Sequence, residues 1–405
     1  MNPEQVIALD AVKMKHSILL SGSAGTGKSY TLSEIIKWAH SENKKFGVTA
    51  TTGSAALLIG GRTIHSYLGI GLGTKTASEL ANMIFFKNKG VLDRIRKLDI
   101  LIIDEISMMD NILFEKISKV LGILRMEPEL PFGGVQVVFC GDFSQNGPIQ
   151  GTYCFMSDVW KEMDIKKIFL KKLMRHKNDE EFQEILESLR FGNMTPSIKD
   201  RLELLKHTEF DEGIEPTVLY GKNVDVDAIN DANFKKLIAQ GNQSQSYKSE
   251  YSGLASKTWA QSCRVPEEIT LCIGAQVVLV WNLCIDEGLV NGSRGVVTKL
   301  TNTGPVIKFF GIDEEKLIAP ITIKNEDVPS NTITFVPVRL AWAMTISKSQ
   351  GCTLEYCVMN LSSWAFGQAY TALSRARSLR NIKLIGDIKA SYFKASPDVI
   401  EFYKE

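Results

Sequence analysis

The segment GSAGTGKS at residues 22–29 constrains this chain more tightly than any other. It fits the pattern GxxxxGK[ST], follows the strand-like SILLS and precedes a helical pattern, TLSEIIKWA. Such a loop needs its glycines so that backbone N–H groups can converge on phosphate oxygens at a helix N-terminus. It therefore requires a strand before it and a helix after it, the repeating unit of a parallel α/β sheet. In this reading Gly22, Ser23, Ala24, Gly25, Thr26, Gly27, Lys28, Ser29 and Tyr30 line a nucleotide. Lys28 neutralises β/γ-phosphate charge, and the Ser29 hydroxyl ligates Mg²⁺.

The rest of the first 150 residues agrees with that requirement. SILLSG (17–22), KFGVTAT (45–51), LDILIID (98–104) and VQVVFCGD (135–142) read as buried strands rich in Ile, Leu and Val. Helical patterns at 28–41, 52–60 and 108–125 separate them, and a helical and polar segment at 68–97 reads as a small insertion. A second α/β unit is expected to open at IKKIFL (165–170) and to include TVLYG (217–221). From about 240 to 335 turn residues alternate with β-rich runs, and NGSRG signals a tight turn between two strands. That texture predicts a small β-barrel inserted into the second α/β domain, which resumes with RLAWAMTISKSQG and CVMNL.

Composition excludes several other classes. At 405 residues the chain is long enough for two or three domains. Its 44% hydrophobic and 23% charged residues are ordinary for a globular protein, and no apolar run approaches the length of a membrane span. The N-terminus, MNPEQVIALDAV, has no basic region followed by an apolar stretch, so no secretory signal is expected there. An intracellular, soluble protein is expected, whether of nucleus, cytoplasm or viral factory. The seven cysteines (140, 154, 263, 272, 284, 352, 357) form no CxxC pair, and the five histidines offer no metal cluster. Buried thiols are expected rather than disulfides or zinc ligands.

Net charge is only +1, but basic residues cluster: 161–177 holds seven basic and two acidic side chains, and 339–390 holds seven against Glu355 and Asp387. Such runs either follow a phosphate backbone or form a solvated face balanced by nearby acids.

Further motifs extend the nucleotide reading. LIIDEIS sets Asp104 and Glu105 at the end of a buried strand, where carboxylates point into the crevice that binds ligands in such sheets. Asp104 would hold the metal through water and Glu105 would polarise the attacking water. GDFSQ follows the next strand and puts Gln145 beside the same crevice, where an uncharged amide can report on the γ-phosphate. Charge building on that phosphate is best met by a guanidinium. Arg175 in KLMRHK and Arg375 in YTALSRARS are the candidates, though Arg175 also has a plainer reading as a salt bridge to Asp179 or Glu180. The second segment reads as a helix, on which Arg375 and Arg377 cannot face the same way; Arg377 is then a structural or DNA-side residue.

TTGSAALLIGGRTIHS (51–66) and TISKSQGCTL (345–354) are rich in hydroxyls and small residues, suited to sugar–phosphate without reading bases. Thr51, Thr52, Gly53, His65, Thr345, Ser347 and Lys348 are the candidate nucleic-acid contacts, with His65 equally readable as structural. Gly351 would approach phosphate closely.

In this order the segments resemble the Pif/RecD-like branch of superfamily 1 DNA helicases, most closely the Pif type. The resemblance runs from NPEQ (2–5) through GSAGTGKS, TGSAA, GRTIHS, IIDEISMMD, GDFSQ, the Arg175 segment, TISKSQG and YTALSRARS, nearly the whole chain. It implies Gln5 as the residue that reads adenine. It implies two RecA-like parallel-sheet domains: domain 1A over 1–164 with a wedge insertion near 68–97, and domain 2A over 165–240 and 336–405. An SH3-like barrel, domain 2B, would occupy 241–335. The implied activity uses ATP and Mg²⁺ to translocate 5′ to 3′ on single-stranded DNA and to unwind tailed duplex, with the motor core a monomer. Its settings would be replication, repair, recombination or telomere maintenance.

Three departures from the family pattern stand out. Gln-Leu-Pro-Pro reads Gln145-Asn146-Gly147-Pro148, Phe-Arg-Gln reads Met174-Arg175-His176, and the histidine of Thr-Ile-His-Lys-Ser-Gln-Gly is Ser347. None removes a residue assigned to hydrolysis, so an active ATPase with altered coupling is expected. Two other readings stay open: a nucleotide-gated translocase or remodeller that leaves duplexes closed, and a ring-forming ATPase acting on protein.

Overall fold

The computed structural model describes residues 1–71, 73–172, 179–210, 216–221, 223–254, 256–262, 265–281, 283–284, 287, 289, 292–324, 330–347, 349–362 and 365–404. The chain divides into two compact units. The first comprises Met1–Phe191, Ala365–Gly367 and Ala395–Glu405; the second comprises Gly192–Trp364 and Gln368–Lys394.

In the first unit, β1 (Ser17–Gly22), β2 (Phe46–Ala50), β3 (Arg62–Thr63), β4 (Ile100–Asp104), β5 (Gln136–Gly141) and β6 (Ile165–Leu170) form one sheet. The order is β3-β2-β4-β5-β1-β6 and every pairing is parallel. All five residues of β4 are buried, as a strand covered on both faces requires. The pleat sorts its neighbours strictly. Leu19, Leu101, Ile103, Val137 and Phe139 enter one core, whereas Ile18, Leu20, Ile100, Ile102, Val138 and Cys140 enter the other.

The helices of this unit are α1 (Pro3–Lys13), α2 (Lys28–Ser41), α3 (Gly53–Leu58), α4 (Ile64–Leu68), α5 (Ala77–Lys87), α6 (Lys89–Lys97), α7 (Asn111–Arg125), α8 (Asp158–Glu162) and α9 (Glu180–Arg190). Local sequence starts them. Thr76 and Glu79 form a capping box on α5, Asn88 caps α6, and Asp110 accepts from Leu113 N to start α7. The 68–97 segment is therefore mainly a helical pair, and it buries Leu80, Ile84, Val91 and Ile95 in the same core as Phe114 and Ile117 of α7.

IKKIFL does not open the second unit. As β6 it pairs with β1 from Ser17↔Ile165 to Gly22↔Leu170, so it is the edge of the first sheet. Ile168 and Leu170 turn into the core while Lys166 stays exposed, a lysine placement that discourages further strand addition. The boundary expected after residue 164 accordingly falls after Phe191.

The second unit begins with α10 (Pro196–Leu204), β7 (Thr217–Tyr220) and α11 (Asn223–Ala239). The β-rich run follows: β8 (Ser244–Lys248), β9 (Glu250–Ser252), α12 (Ser256–Ser262), β10 (Glu268–Cys272), β11 (Gln276–Leu279), β12 (Arg294–Thr301) and β13 (Gly304–Phe309). It continues with β14 (Glu315–Leu317), β15 (Ile321–Lys324), β16 (Thr332–Phe335) and β17 (Val338–Leu340). These strands make three antiparallel sheets, β14-β13-β12-β11-β17, β15-β16-β9 and β10-β8. Leu271, Val277, Leu279, Val297, Ile307 and Phe309 share one core there. Of the NGSRG segment, Arg294 and Gly295 already belong to β12, which pairs antiparallel with β11, and Asn291 lies outside the described residues.

The second unit ends on a parallel sheet. It is built from β18 (Ala343–Thr345), β19 (Cys357–Asn360), α13 (Gln368–Leu373) and β20 (Ile382–Ile385), in the strand order β18-β7-β19-β20. The chain then rejoins the first unit as α14 (Pro397–Phe402), whose Val399 and Phe402 enter the core with Phe143 and Trp160. Among the described residues the cysteines are free, and all but Cys284 are buried. No helix among them is long and apolar enough to cross a membrane.

Candidate active site

The phosphate loop joins β1 to α2. Gly22 has φ +150°, and a Cβ there would lie 2.5 Å from the Leu170 carbonyl oxygen and 2.9 Å from Thr26 Oγ1. Gly27 caps α2 in the left-handed region at φ +91°, with no side-chain cap on the helix. The first N–H groups of α2 are thus left for an anion. Lys28 Nζ donates to Gly22 O at 2.7 Å and Ser23 O at 3.0 Å, and Thr26 Oγ1 donates to Ser23 O at 2.9 Å. Ser29 and Tyr30 are exposed.

Gln5 lies against this loop. It is buried, its Oε1 accepts from Asn2 N at 2.8 Å, and Asn2 Oδ1 accepts from Gln5 N at 2.9 Å, a capping box that starts α1. Its Nε2 sits 2.8 Å from where a Cβ on Gly27 would be.

Asp104 ends β4 nearly buried, accepting from Glu105 N at 2.9 Å. Burial raises its pKa; hydrogen bonds from the Cys140 thiol and Glu105 N–H, with the Lys28 charge, oppose that rise. Glu105 stands at φ +53°, ψ +42°, a left-handed conformation uncommon for a residue with a side chain. Thr51 N donates to Asp104 O at 3.2 Å and Thr51 Oγ1 to Glu105 O at 2.9 Å, so the TTGSAA segment holds the backbone of both acids.

Gln145 is buried at the turn after β5, and its Nε2 makes a long 3.5 Å contact to Asp142 Oδ2. Asp142 was not legible as a site residue from its motif. It is fully buried, and its Oδ1 accepts from Arg190 Nη2 at 3.0 Å, Tyr403 Oη at 3.1 Å and Ser144 N at 3.1 Å. Burial alone would raise this carboxyl; the Arg190 guanidinium, then Lys28, outweigh it and hold the pKa below the usual range. Gly367, also in the first unit, lies so close that a Cβ would fall 2.3 Å from Gln145 O. Neither Arg190 nor Tyr403 carries a sequence motif that would have pointed to it.

The first unit thus gathers Gln5, the loop residues 22–30, Asp104, Glu105 and Gln145 around one end of its sheet. An ammonium, a bare helix start and two carboxylates at that end can hold a polyanion and polarise water beside it.

The remaining candidates divide. Thr52 Oγ1 accepts from Ala55 N at 3.2 Å, and Gly53 opens α3. His65 on α4 is half-buried; burial lowers its pKa, opposed by Asp110. Thr345, Ser347, Gly351 and Arg375 belong to the second unit. Thr345 is buried, Ser347 is exposed, and Gly351 has φ +83°. Arg175 and Lys348 lie outside the described residues.

The helix expected through ALSRARS ends early. α13 stops at Leu373, and the next residues are captured by Leu354, whose N–H bonds Arg375 O at 2.9 Å while Arg377 N bonds Leu354 O at 3.3 Å. The two arginines still diverge. Arg375 is buried, with Nε donating to Thr371 O at 3.0 Å and Nη2 to Ser374 Oγ at 2.8 Å. Arg377 is exposed and pairs with Glu355 at 2.8 Å. Both acids of the 339–390 stretch are paired in this way, Asp387 with Lys389 at 2.9 Å. On α5, Phe85 and Phe86 are exposed 45% and 74%. The Arg96 guanidinium lies over the Phe85 ring at 5.8 Å.

Residues 1–201 match the family model for the PIF1-like helicase, and residues 257–300 match the model for the DNA helicase Pif1 2B domain. The ATP-dependent DNA helicase PIF1 of Xenopus laevis is 34% identical over 416 residues, covering 100% of this chain and 64% of that protein. The chain thus spans less than two thirds of the length of that relative. The crystal structure of Pif1 helicase from Candida albicans is 33% identical, with a TM-score of 0.83 and coverage of 100% of this chain and 99% of that one. Pif1 helicase from Bacteroides in complex with ADP-AlF3 and ssDNA is 26% identical, with a TM-score of 0.70 and coverage of 100% and 96%.

Proposed function

The chain belongs to the PIF1-like helicase family, and from that premise we propose that it is an ATP-dependent DNA helicase. It translocates on single-stranded DNA, 5′ to 3′, and unwinds tailed duplex. One observation carries the reading: the phosphate loop, the Asp104–Glu105 pair and Gln145 converge at one end of a single parallel sheet. The Bacteroides relative, solved with ADP-AlF3 and ssDNA, supports a nucleotide and a DNA strand as the two ligands.

In this reading Lys28 neutralises phosphate charge, Glu105 polarises the attacking water, Gln145 contacts the γ-phosphate or that water, and Arg375 and Arg175 meet the charge that develops. Gln5 reads the adenine, and Gly351 approaches the phosphates. Mg²⁺ fits the donors present. Ser29 offers an exposed hydroxyl and Asp104 a carboxylate. Among the described residues no group of three His, Cys, Asp or Glu side chains forms a protein cage. So sparse a set of hard oxygen donors suits an ion that keeps its waters and takes ligands from the nucleotide. When bound it would supply charge neutralisation on the phosphates.

We read the two parallel sheets as RecA-like motor domains, the α5–α6 pair as the wedge, and the antiparallel sheets between α11 and β18 as domain 2B with its SH3-like barrel. Thr51, Thr52, Gly53, His65, Thr345, Ser347 and Lys348 serve as strand contacts, and the working unit is a monomer. ATP hydrolysis measured with and without single-stranded DNA tests the reading. Weak basal turnover, strong stimulation and loss of both in Lys28→Ala are expected; no stimulation by any strand would refute it.

A further inference from the structure

The hydroxyl of Tyr403 is the meeting point of two segments that the sequence separates by more than a hundred residues. Tyr403 Oη donates to Asp142 Oδ1 at 3.1 Å and accepts from Phe143 N at 3.0 Å. It also lies 2.8 Å from Ser21 Oγ. Since the single phenolic proton is directed to the carboxylate, Ser21 is the donor in the third bond, and both acceptor positions are filled. Ser21 immediately precedes Gly22 at the entrance to the phosphate loop, and Asp142 and Phe143 open the turn that carries Gln145. One hydroxyl from the last turn of the chain therefore ties the root of the phosphate loop to the root of the Gln145 loop.

The ring that carries it is fixed independently of these bonds. It meets Phe169 at 5.7 Å and Phe402 at 5.5 Å between ring centroids, and the Arg190 guanidinium covers its face at 4.8 Å. The acceptor is equally constrained, because Asp142 is fully buried and its second oxygen faces the Gln145 amide. Burial first, and then the Asp142 charge, push the phenol pKa up, so it remains a donor across the ordinary pH range.

We propose that Tyr403 is a positioning residue for hydrolysis: through Asp142 its hydroxyl fixes Gln145 relative to the phosphate loop. The inference rests on the reading of Gln145 as the residue that contacts the γ-phosphate or attacking water. Removing the hydroxyl should leave nucleotide binding intact and loosen only the geometry that matters in the transition state, which is a fall in kcat without a rise in KM.

The test compares wild type, Tyr403→Phe, Gln145→Ala and the double variant in DNA-stimulated ATPase assays on the full chain. Tyr403→Phe keeps the ring contacts. Its kcat should fall about tenfold, the scale of one lost charge-assisted hydrogen bond, with KM for ATP changed less than about twofold. The double variant should be no slower than Gln145→Ala alone, because both changes act through one amide. A Tyr403→Phe enzyme at wild-type kcat beside an impaired Gln145→Ala overturns the role of Tyr403, as do defects that multiply in the double variant. A Gln145→Ala enzyme at wild-type rate overturns the Gln145 reading, and this inference with it. If Tyr403→Phe does not fold, Ser21→Ala, which removes a partner of the same hydroxyl without touching the ring, takes its place with the same split expected.

Discussion

Thr51 Oγ1 donates a 2.9 Å hydrogen bond to the main-chain carbonyl of Glu105, the residue held at φ +53°. A left-handed conformation costs a residue with a Cβ roughly 1–2 kcal/mol, so something outside Glu105 must hold it there. Thr51 belongs to the segment expected to grip the DNA strand, which makes this bond a direct link between that grip and the carboxylate proposed to polarise water. Thr51→Val keeps the shape and deletes the bond. It should lower DNA-stimulated kcat about tenfold, the worth of one hydrogen bond that sets catalytic geometry. Thr51→Ser should restore most of the rate. Steady-state ATPase assays on the two variants check both statements, and equal rates for valine and serine would contradict the link.

Arg190 and Asp142 form an ion pair at 3.0 Å with side-chain exposures of 10% and 0%. Deleting one partner of such a pair strands a charge out of water and typically costs about 3–5 kcal/mol. Arg190→Met should therefore lower the unfolding midpoint in urea markedly, and Arg190→Met/Asp142→Asn should recover part of the loss. Asp142 also gives the stability a pH signature. Its folded pKa is depressed, so its contribution is complete above the unfolded carboxyl value of about 3.9 and is lost as pH falls through the lower folded value. Wild type should lose stability below about pH 4 more steeply than Asp142→Asn, measured by urea titration at several pH values.

The motif-bearing half of this site was legible because its signals are local. GSAGTGKS and IIDEIS set the loop and the acids at strand ends, and β1 and α2 fall where the apolar runs and glycines place them. What sequence could not supply was pairing at a distance. IKKIFL looks like the start of a new unit, and only its pairing with β1 makes it an edge strand of the first sheet. YTALSRARS has the composition of a helix, yet its second half is pulled out of one by backbone bonds to Leu354. Arg190 and Tyr403 have no motif around them, and they reach Asp142 only once the sheet and α14 have closed.

Gln5 closes the capping box of α1 and lies against Gly27 of the phosphate loop. Gln5→Ala keeps the Asn2 cap on the main chain but removes the return bond from Asn2 N to Gln5 Oε1, and should cost about 1 kcal/mol of stability. It should also raise KM for ATP and bring ATP and GTP closer together as substrates, since the amide proposed to read the base is gone. Competition kinetics between the two nucleotides measures this, and unchanged discrimination would count against the assignment.

Phe85 and Phe86 stand exposed side by side on α5, their rings 5.1 Å apart. The α5–α6 pair that carries them is the proposed wedge, and exposed rings there could stack on bases at the duplex junction. Replacing both with alanine should reduce strand displacement at least about tenfold while single-strand-stimulated ATPase stays near wild type, given stacking losses of roughly 1–3 kcal/mol per base. Equal loss of both activities would place these rings elsewhere in the mechanism.

Strand displacement on 5′-tailed, 3′-tailed and blunt duplexes of the same sequence, with ATP and with Lys28→Ala as control, separates a 5′-to-3′ helicase from a translocase that leaves duplexes closed. Product is expected from the 5′-tailed substrate alone, and none from the Lys28 variant. Stimulated ATP hydrolysis with no product from any duplex would instead make the chain a translocase that does not separate strands. Product from the 3′-tailed substrate alone would contradict the proposed polarity.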